Sequence, residues 1–302
     1  MFAFMRNAAL PLVFVHWLVI TAIGAGYDLP PDFYRMPVSI WFSMPGYTNQ
    51  TFAFTNQTPA GSGVYLAKSN ALYLVTAKHV ILDVASTNLP LRGTNAMLYT
   101  PTTASRSPDR FCTFNVDLDC LNKGGFVKPH PSRDLLVIQL AKGTFNHGVS
   151  SSNPPNCLVW FNIDEQVQTA EKILVGDDTL MFGYPVELLK GLSREVDFDL
   201  PLVRRGTISQ KNPKTGKFIL DSSSFGGNSG GPLIVILGNR KSPWMINEPI
   251  TYKIAGIITQ FVPAATRVFA DAGVTNSVLA YSGYSVAEPI DAAIELIREF
   301  KN

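Results

Sequence analysis

The sequence predicts an all-β protein of sandwich or barrel type, on three observations. From Tyr27 onward, short runs rich in Val, Ile, Leu, Phe and Tyr alternate with clusters of Gly, Pro, Asn and Ser, the spacing of many strands joined by turns. Two runs, GVYLA and ALYLVTA, are separated only by KSN and read as a hairpin. Helical periodicity is convincing only in the tail, where Ile290, Ala293, Ile294, Ile297 and Phe300 recur at three- and four-residue spacing behind Pro289.

Taken in order, the chain opens with Arg6, an apolar run, and small residues from Ala22 to Gly26. This layout predicts a secretory signal peptide over residues 1–26, cleaved near Gly24 to Gly26, and hence a secreted or periplasmic protein. The rival is a membrane tether through residues 8–26, which Pro11 and His16 weaken. The expected hairpin follows, ending in TAKHV. Pro101 to Pro108 reads as a surface loop, and DLLVIQL, TLMFGYP, LVRRGTISQ, FILD, PLIVIL and YKIAGIITQF read as further strands, with KNPKTG a turn between two of them.

A chain of 302 residues, 46% hydrophobic and 16% charged, has the composition of a large folded core. Its formal charge of +2 comes from scattered residues, so nucleic acid is not an expected partner. Of the three cysteines, Cys112 and Cys120 bracket TFNVDLD and are the natural pair in an oxidising compartment, with buried unpaired thiols as the alternative; Cys157 is left over. Asn49 and Asn56 each head an N-x-T sequon, read as chance.

Residues 226 to 232, GGNSGGP, place one hydroxyl among four glycines. A plain turn, a nucleophile elbow of the G-x-S-x-G type and a serine-peptidase nucleophile all fit the motif. A serine needs a base to become a nucleophile at neutral pH, and the four histidines are His16, His79, His130 and His147. None follows Ser229, which removes the elbow reading, whose histidine comes last. An order of Asp, His, Ser would draw on Asp28 or Asp32, beside the expected cleavage site. The order His, Asp, Ser is filled well by His79, Asp134 and Ser229, at spacings of 134 − 79 = 55 and 229 − 134 = 95. His79 follows an apolar strand, and Asp134 opens a run apolar enough to be buried. His130 and His147 read as loop residues, and no paired metal-ligand spacing is evident.

The blocks GSGVYLA…YLVTAKHV, DLLVIQL, LMFGYP, RRGTIS and LDSSSFGGNSGGPLI resemble, in order, those of the trypsin-like (chymotrypsin-fold) serine peptidases, particularly the bacterial HtrA-like branch. The resemblance implies two six-stranded antiparallel β-barrels, the first over about 35–160 and the second over about 165–287, with a C-terminal helix at 288–301. It implies a serine endopeptidase that acts on polypeptides without cofactor or metal. His79 would be the base, Asp134 its orienter and Ser229 the nucleophile, with the N–H groups of Gly227 and Ser229 as oxyanion hole. Asn228 stands where animal digestive members carry the aspartate that binds a newly cut N-terminus, so that activation is not expected. The chain stops at its helix, so the PDZ domain of the HtrA-type proteins is not expected. Lys78 stands where the family commonly has a small residue. By the same resemblance Ser223 lies near the floor of the primary pocket and Thr259, Gln260, Phe261 and Val262 beside the substrate backbone. With no carboxylate there, an apolar substrate side chain is expected. The other reading is a catalytically inactive binding or scaffolding protein of this fold.

Overall fold

Sixteen strands carry the structure, a computed structural model that describes residues 31–43, 57–101, 111–151, 158–185, 200–238, 250–269 and 275–300. The expected signal segment or tether, both sequons and Cys157 lie outside the described residues. Among those residues no helix is long and apolar enough to cross a membrane.

The first half contains β1 (Pro37–Ser43), β2 (Gln57–Lys68), β3 (Ala71–Thr76), β4 (Asn95–Pro101), β5 (Phe111–Asp117), β6 (Val127–Pro129), β7 (Leu136–Lys142), β8 (Thr144–Phe145), β9 (Val149–Ser151) and β10 (Phe161–Asn162). They form one sheet in the order β6-β7-β3-β2-β1-β4-β5-β9, with β8 on β7 and β10 on β2. Two short helices, α1 (Lys78–Ile81) and α2 (Leu118–Lys123), interrupt it. The expected hairpin is β2–β3, paired from Val64↔Val75 to Lys68↔Ala71, and its tight turn holds Ser69 at φ 53°. Alternate residues of β5, Cys112, Phe114 and Val116, point into the apolar interior with Val38, Ile40, Tyr65, Leu98 and Ile138.

The second half is a closed barrel of β11 (Asp178–Gly183), β12 (Leu202–Lys211), β13 (Phe218–Asp221), β14 (Pro232–Leu237), β15 (Thr251–Phe269) and β16 (Thr275–Pro289), in the order β11-β12-β13-β16-β15-β14. Closure leaves no open edge within the ring, and Met181, Ile208, Phe218, Leu220, Leu233, Val235 and Ile258 fill it. The first half differs: its strands curl but do not close by hydrogen bonds among the described residues. Together they make the chymotrypsin-like architecture.

Pro289 closes β16, and the helix α3 (Asp291–Arg298) starts just after it. Ala292, Ala293, Leu296 and Ile297 are its buried face, with Ile290 and Phe300 at its ends, while Ile294 is only half-buried. Although it follows the second half, α3 grips the first. Lys128 Nζ donates to the Glu299 carbonyl at 2.8 Å, and the Phe300 ring lies 5.5 Å from that of Tyr73.

Candidate active site

β3 is buried almost throughout and delivers the chain to α1, a single helical turn pinned by fully buried Val80 and Ile81. The next residue to turn outward is His79. Its Nδ1 lies 2.7 Å from Asp134 Oδ2, and its backbone N–H donates to Asp134 Oδ1 at 3.1 Å. An ionised carboxylate only accepts, so Nδ1 carries a proton, and in the neutral form of the ring the lone pair is on Nε2. Burial pushes the Asp134 carboxyl up, but the His79 ring bond, the His79 charge, the backbone bond and nearby Lys217 outweigh it and hold the group below its ordinary value.

Asp134 is placed by a tight turn and a buried ion cluster. His130 Nδ1 accepts from the N–H groups of Ser132 and Arg133, at 3.2 and 3.1 Å. From β16, the wholly buried Glu288 meets Arg133 at 3.0 Å and Lys217 at 2.9 Å, and accepts from the Asp134 N–H at 3.4 Å. A carboxylate with no exposure is tolerable only with such partners. Sequence reasoning missed Glu288, Arg133 and Lys217. The available signal was a single acid in the otherwise uncharged run SVAEPI, all of which is buried, Glu288 included.

The Ser229 loop is held through its backbone. Ser62 N–H donates to the Ser229 carbonyl at 2.8 Å, and Ser62 Oγ donates to the Gly227 carbonyl at 2.7 Å while accepting from Tyr184 N–H at 2.9 Å. Ser62 was not singled out in the sequence, although it sits in the GSG that opens the β2 block. Gly227 and Gly230 have φ +100° and +91°, and a methyl group on Gly230 would overlap the Ser62 carbonyl and the Thr76 hydroxyl. A methyl group at Gly61 would press on both Val80 and the Ser229 carbonyl, so this bare backbone is where α1 and the serine loop meet.

The Ser229 hydroxyl donates to the Thr259 carbonyl at 3.1 Å rather than to His79. Among the described residues the amides of Gly227 and Ser229 donate to no other group. Asn228 is buried, packed against Gly183, and its Oδ1 has no partner.

Of the pocket residues expected, Ser223 offers its carbonyl to Arg204 Nη1 at 2.6 Å. Thr259 is buried; Gln260 is exposed; Phe261 meets Tyr281 at a tilt, with ring centroids 4.8 Å apart; the Val262 carbonyl accepts from Ser282 Oγ. β15 has irregular register between Ile258 and Gln260 and again between Phe261 and Pro263. Its pairing to β14 ends at Ile257, so from Thr259 on one edge of β15 has no neighbouring strand among the described residues. Bulges beside an active site re-aim side chains and end pairing in this way.

One expectation is corrected. Cys120 is a free thiol, 3.2 Å from His147 Nδ1, and Cys112 is disulfide-bonded without it. Cys112 points into the core from β5, whereas Cys120 sits in the first turn of α2 outside it, so sequence proximity did not bring them together. Lys78 is buried with its helix turn, and among the described residues no cluster suited to a metal ion exists.

No curated protein matches the sequence. Among solved structures, the chain is similar to the HtrA-type protease AlgW with a decapeptide, at 15% identity and a TM-score of 0.44, over 88% of this chain and 64% of that one. It is similar to AlgW with a tripeptide at the same identity and TM-score, over 88% and 60%. The chain thus spans under two thirds of the length of these proteins. The family model described as trypsin-like peptidase domain matches residues 61–239, from the glycine under α1 through the whole serine loop, and the chain belongs to that family.

Proposed function

We propose that the protein is a serine endopeptidase that hydrolyses polypeptides through His79, Asp134 and Ser229 and an acyl-enzyme intermediate. The observation that carries this reading is the His79–Asp134 pair, which presents Nε2 as a base beside the pinned Ser229 loop. A substrate strand laid on the free edge of β15 would be held by backbone hydrogen bonds. One of its N–H groups would take the Thr259 carbonyl and release the Ser229 hydroxyl to turn toward His79. Nε2 then accepts the hydroxyl proton as Oγ attacks the carbonyl carbon, and Asp134 stabilises the imidazolium. The unpaired amides of Gly227 and Ser229 are the donors for the developing oxyanion. The proton passes from Nε2 to the leaving amine, and water repeats the sequence to release the acid. Residues 1–26 are read as a secretion signal that places this work outside the cytoplasm, checked by sequencing the mature N-terminus.

The test is labelling by a serine-reactive phosphonate together with hydrolysis of unfolded casein. Wild type is expected to do both and Ser229→Ala neither, with an unchanged melting temperature. Labelling that persists in the Ala variant overturns the assignment, and a wild type that neither labels nor cleaves supports the inactive scaffold instead.

A further inference from the structure

Four side chains form a continuous wall leading away from the nucleophile. Thr259, whose carbonyl holds the Ser229 hydroxyl, is followed two residues on by Phe261, and the Phe261 ring lies 4.8 Å from that of Tyr281. Tyr281 lies 4.9 Å from Phe225, and the Arg204 guanidinium carbon stands 4.2 Å above the Phe225 ring. Arg204 Nη1 in turn donates to the Ser223 carbonyl. The wall therefore starts two residues from the carbonyl that holds the Ser229 hydroxyl and ends on a cation bonded to Ser223, the residue expected near the pocket floor.

That cation is unusual in its company. Adjacent residues of β12 face opposite ways. Arg205 points outward and pairs with Asp178 at 3.2 Å, whereas Arg204 shares its face with Ile208 on the barrel interior. Among the described residues no carboxylate meets Arg204, and of its five N–H donors a single hydrogen bond accounts for one. Half-burial pulls the guanidinium below its ordinary value, as expected of a cation that has lost water without gaining a counter-ion. The face of Phe225 supplies part of the missing negative potential. A carboxylate entering beside Phe225 would supply the rest in the bidentate geometry that guanidinium favours.

We infer that Arg204 is the specificity-determining residue of the primary pocket, selecting peptides with an acidic side chain immediately before the scissile bond. This rests on the serine-endopeptidase reading above, and it replaces the apolar preference expected from the sequence. The aromatic rings of Phe225, Tyr281 and Phe261 would pack along the methylenes of the bound Glu or Asp, while its carboxylate reaches the guanidinium.

The experiment compares kcat/KM for peptides differing only in Glu, Gln, Leu or Lys at that position, and maps the cut sites in an unfolded protein. Wild type is expected to prefer Glu over the isosteric Gln by about 100-fold, as for a charge-assisted bidentate pair in a partly dry site. In Arg204→Gln that ratio should fall to near one while the Leu peptide changes only a few-fold. Arg204→Glu should turn the preference toward Lys. A wild type that cuts without favouring acidic residues overturns the inference, as does an Arg204→Gln variant that slows all four peptides equally, since Arg204 would then merely support the Ser223 carbonyl. The phosphonate separates this failure from that of the parent reading. Labelling with non-acidic cleavage removes only the specificity, whereas absence of both labelling and cleavage removes the peptidase and the inference with it.

Discussion

The two halves of the site are built by opposite means. His79 and Asp134 are joined side chain to side chain, at 2.7 Å, with a buried ion cluster behind them. Ser229 is fixed by its carbonyl and its neighbours' carbonyls, while its hydroxyl rests on Thr259 and remains a single χ1 rotation from other partners. In the proposed reaction His79 must keep one tautomer and one orientation, and its half is rigid in the side chains. In that reaction Ser229 must turn between partners, and its half is rigid only in the backbone.

Removing either side chain outright should break the contrast most. Ser229→Ala is expected to lower kcat by about 10⁶-fold with no change in melting temperature. Asp134→Asn should lower it by about 10⁴-fold, because an amide can present its N–H to Nδ1 and favour the wrong tautomer. Both are read by single-substrate kinetics beside a thermal melt. A loss of stability in Ser229→Ala would mean that the hydroxyl, and not only the backbone, holds the loop.

Next in size is Glu288→Gln, which leaves Arg133 and Lys217 without their buried counter-charge. Breaking such a cluster costs about 3–5 kcal/mol, so urea unfolding should show a clear loss, and Lys217→Met added to it should restore part. If the Asp134 turn loosens as well, kcat falls while KM stays near wild type.

The pH dependence has a definite sign. A carboxyl held below its ordinary value in the folded protein contributes stability that is fully present above the unfolded carboxylate value and is lost as pH falls through the folded one. Asp134→Asn should therefore flatten part of the acid limb of the stability profile and leave the neutral region with a constant offset. An unchanged acid limb would show that other carboxylates set it.

The smallest effect tests the backbone alone. Gly125 and Gly230 both have positive φ, but nothing lies near a methyl group on Gly125. Gly125→Ala should cost only the strain of the left-handed conformation, about 1–2 kcal/mol. Gly230→Ala must also displace the Ser62 carbonyl, so its melting temperature should fall further. Equal shifts would mean that the serine loop is softer than its hydrogen bonds imply.

Much of the fold was legible in the sequence. β3, β7, β11 and β14 are apolar runs whose burial follows from composition alone, and the order of His79, Asp134 and Ser229 picked out two residues, His79 and Asp134, that the fold brings to 2.7 Å. Contacts between residues far apart in sequence were not legible. Ser62 and Glu288 act across separations of 165 and 154 residues, and nothing local distinguishes them from a turn serine or a surface acid. Arg204 and Arg205 form a dyad in which strand alternation sends one cation to an aspartate and the other inward, a difference that depends on the strand's register in the barrel. The cysteines failed for the same reason, since Cys112 and Cys120 are close along the chain and on opposite sides of the core wall.

The docking of α3 has a kinetic consequence. Phe300 reaches back to Tyr73, and Lys128 to Glu299, so loops of about 170 to 230 residues must close before the first half gains these contacts. Such closures are entropically costly and slow. Synthesised from the N-terminus, the His79–Asp134 half would emerge long before its clamp, and Glu288, three residues before α3, would arrive with it. The turn that carries Asp134 would therefore meet its buried counter-charge only after both halves have been made, and the His79–Asp134 pair would gain its final rigidity late in folding.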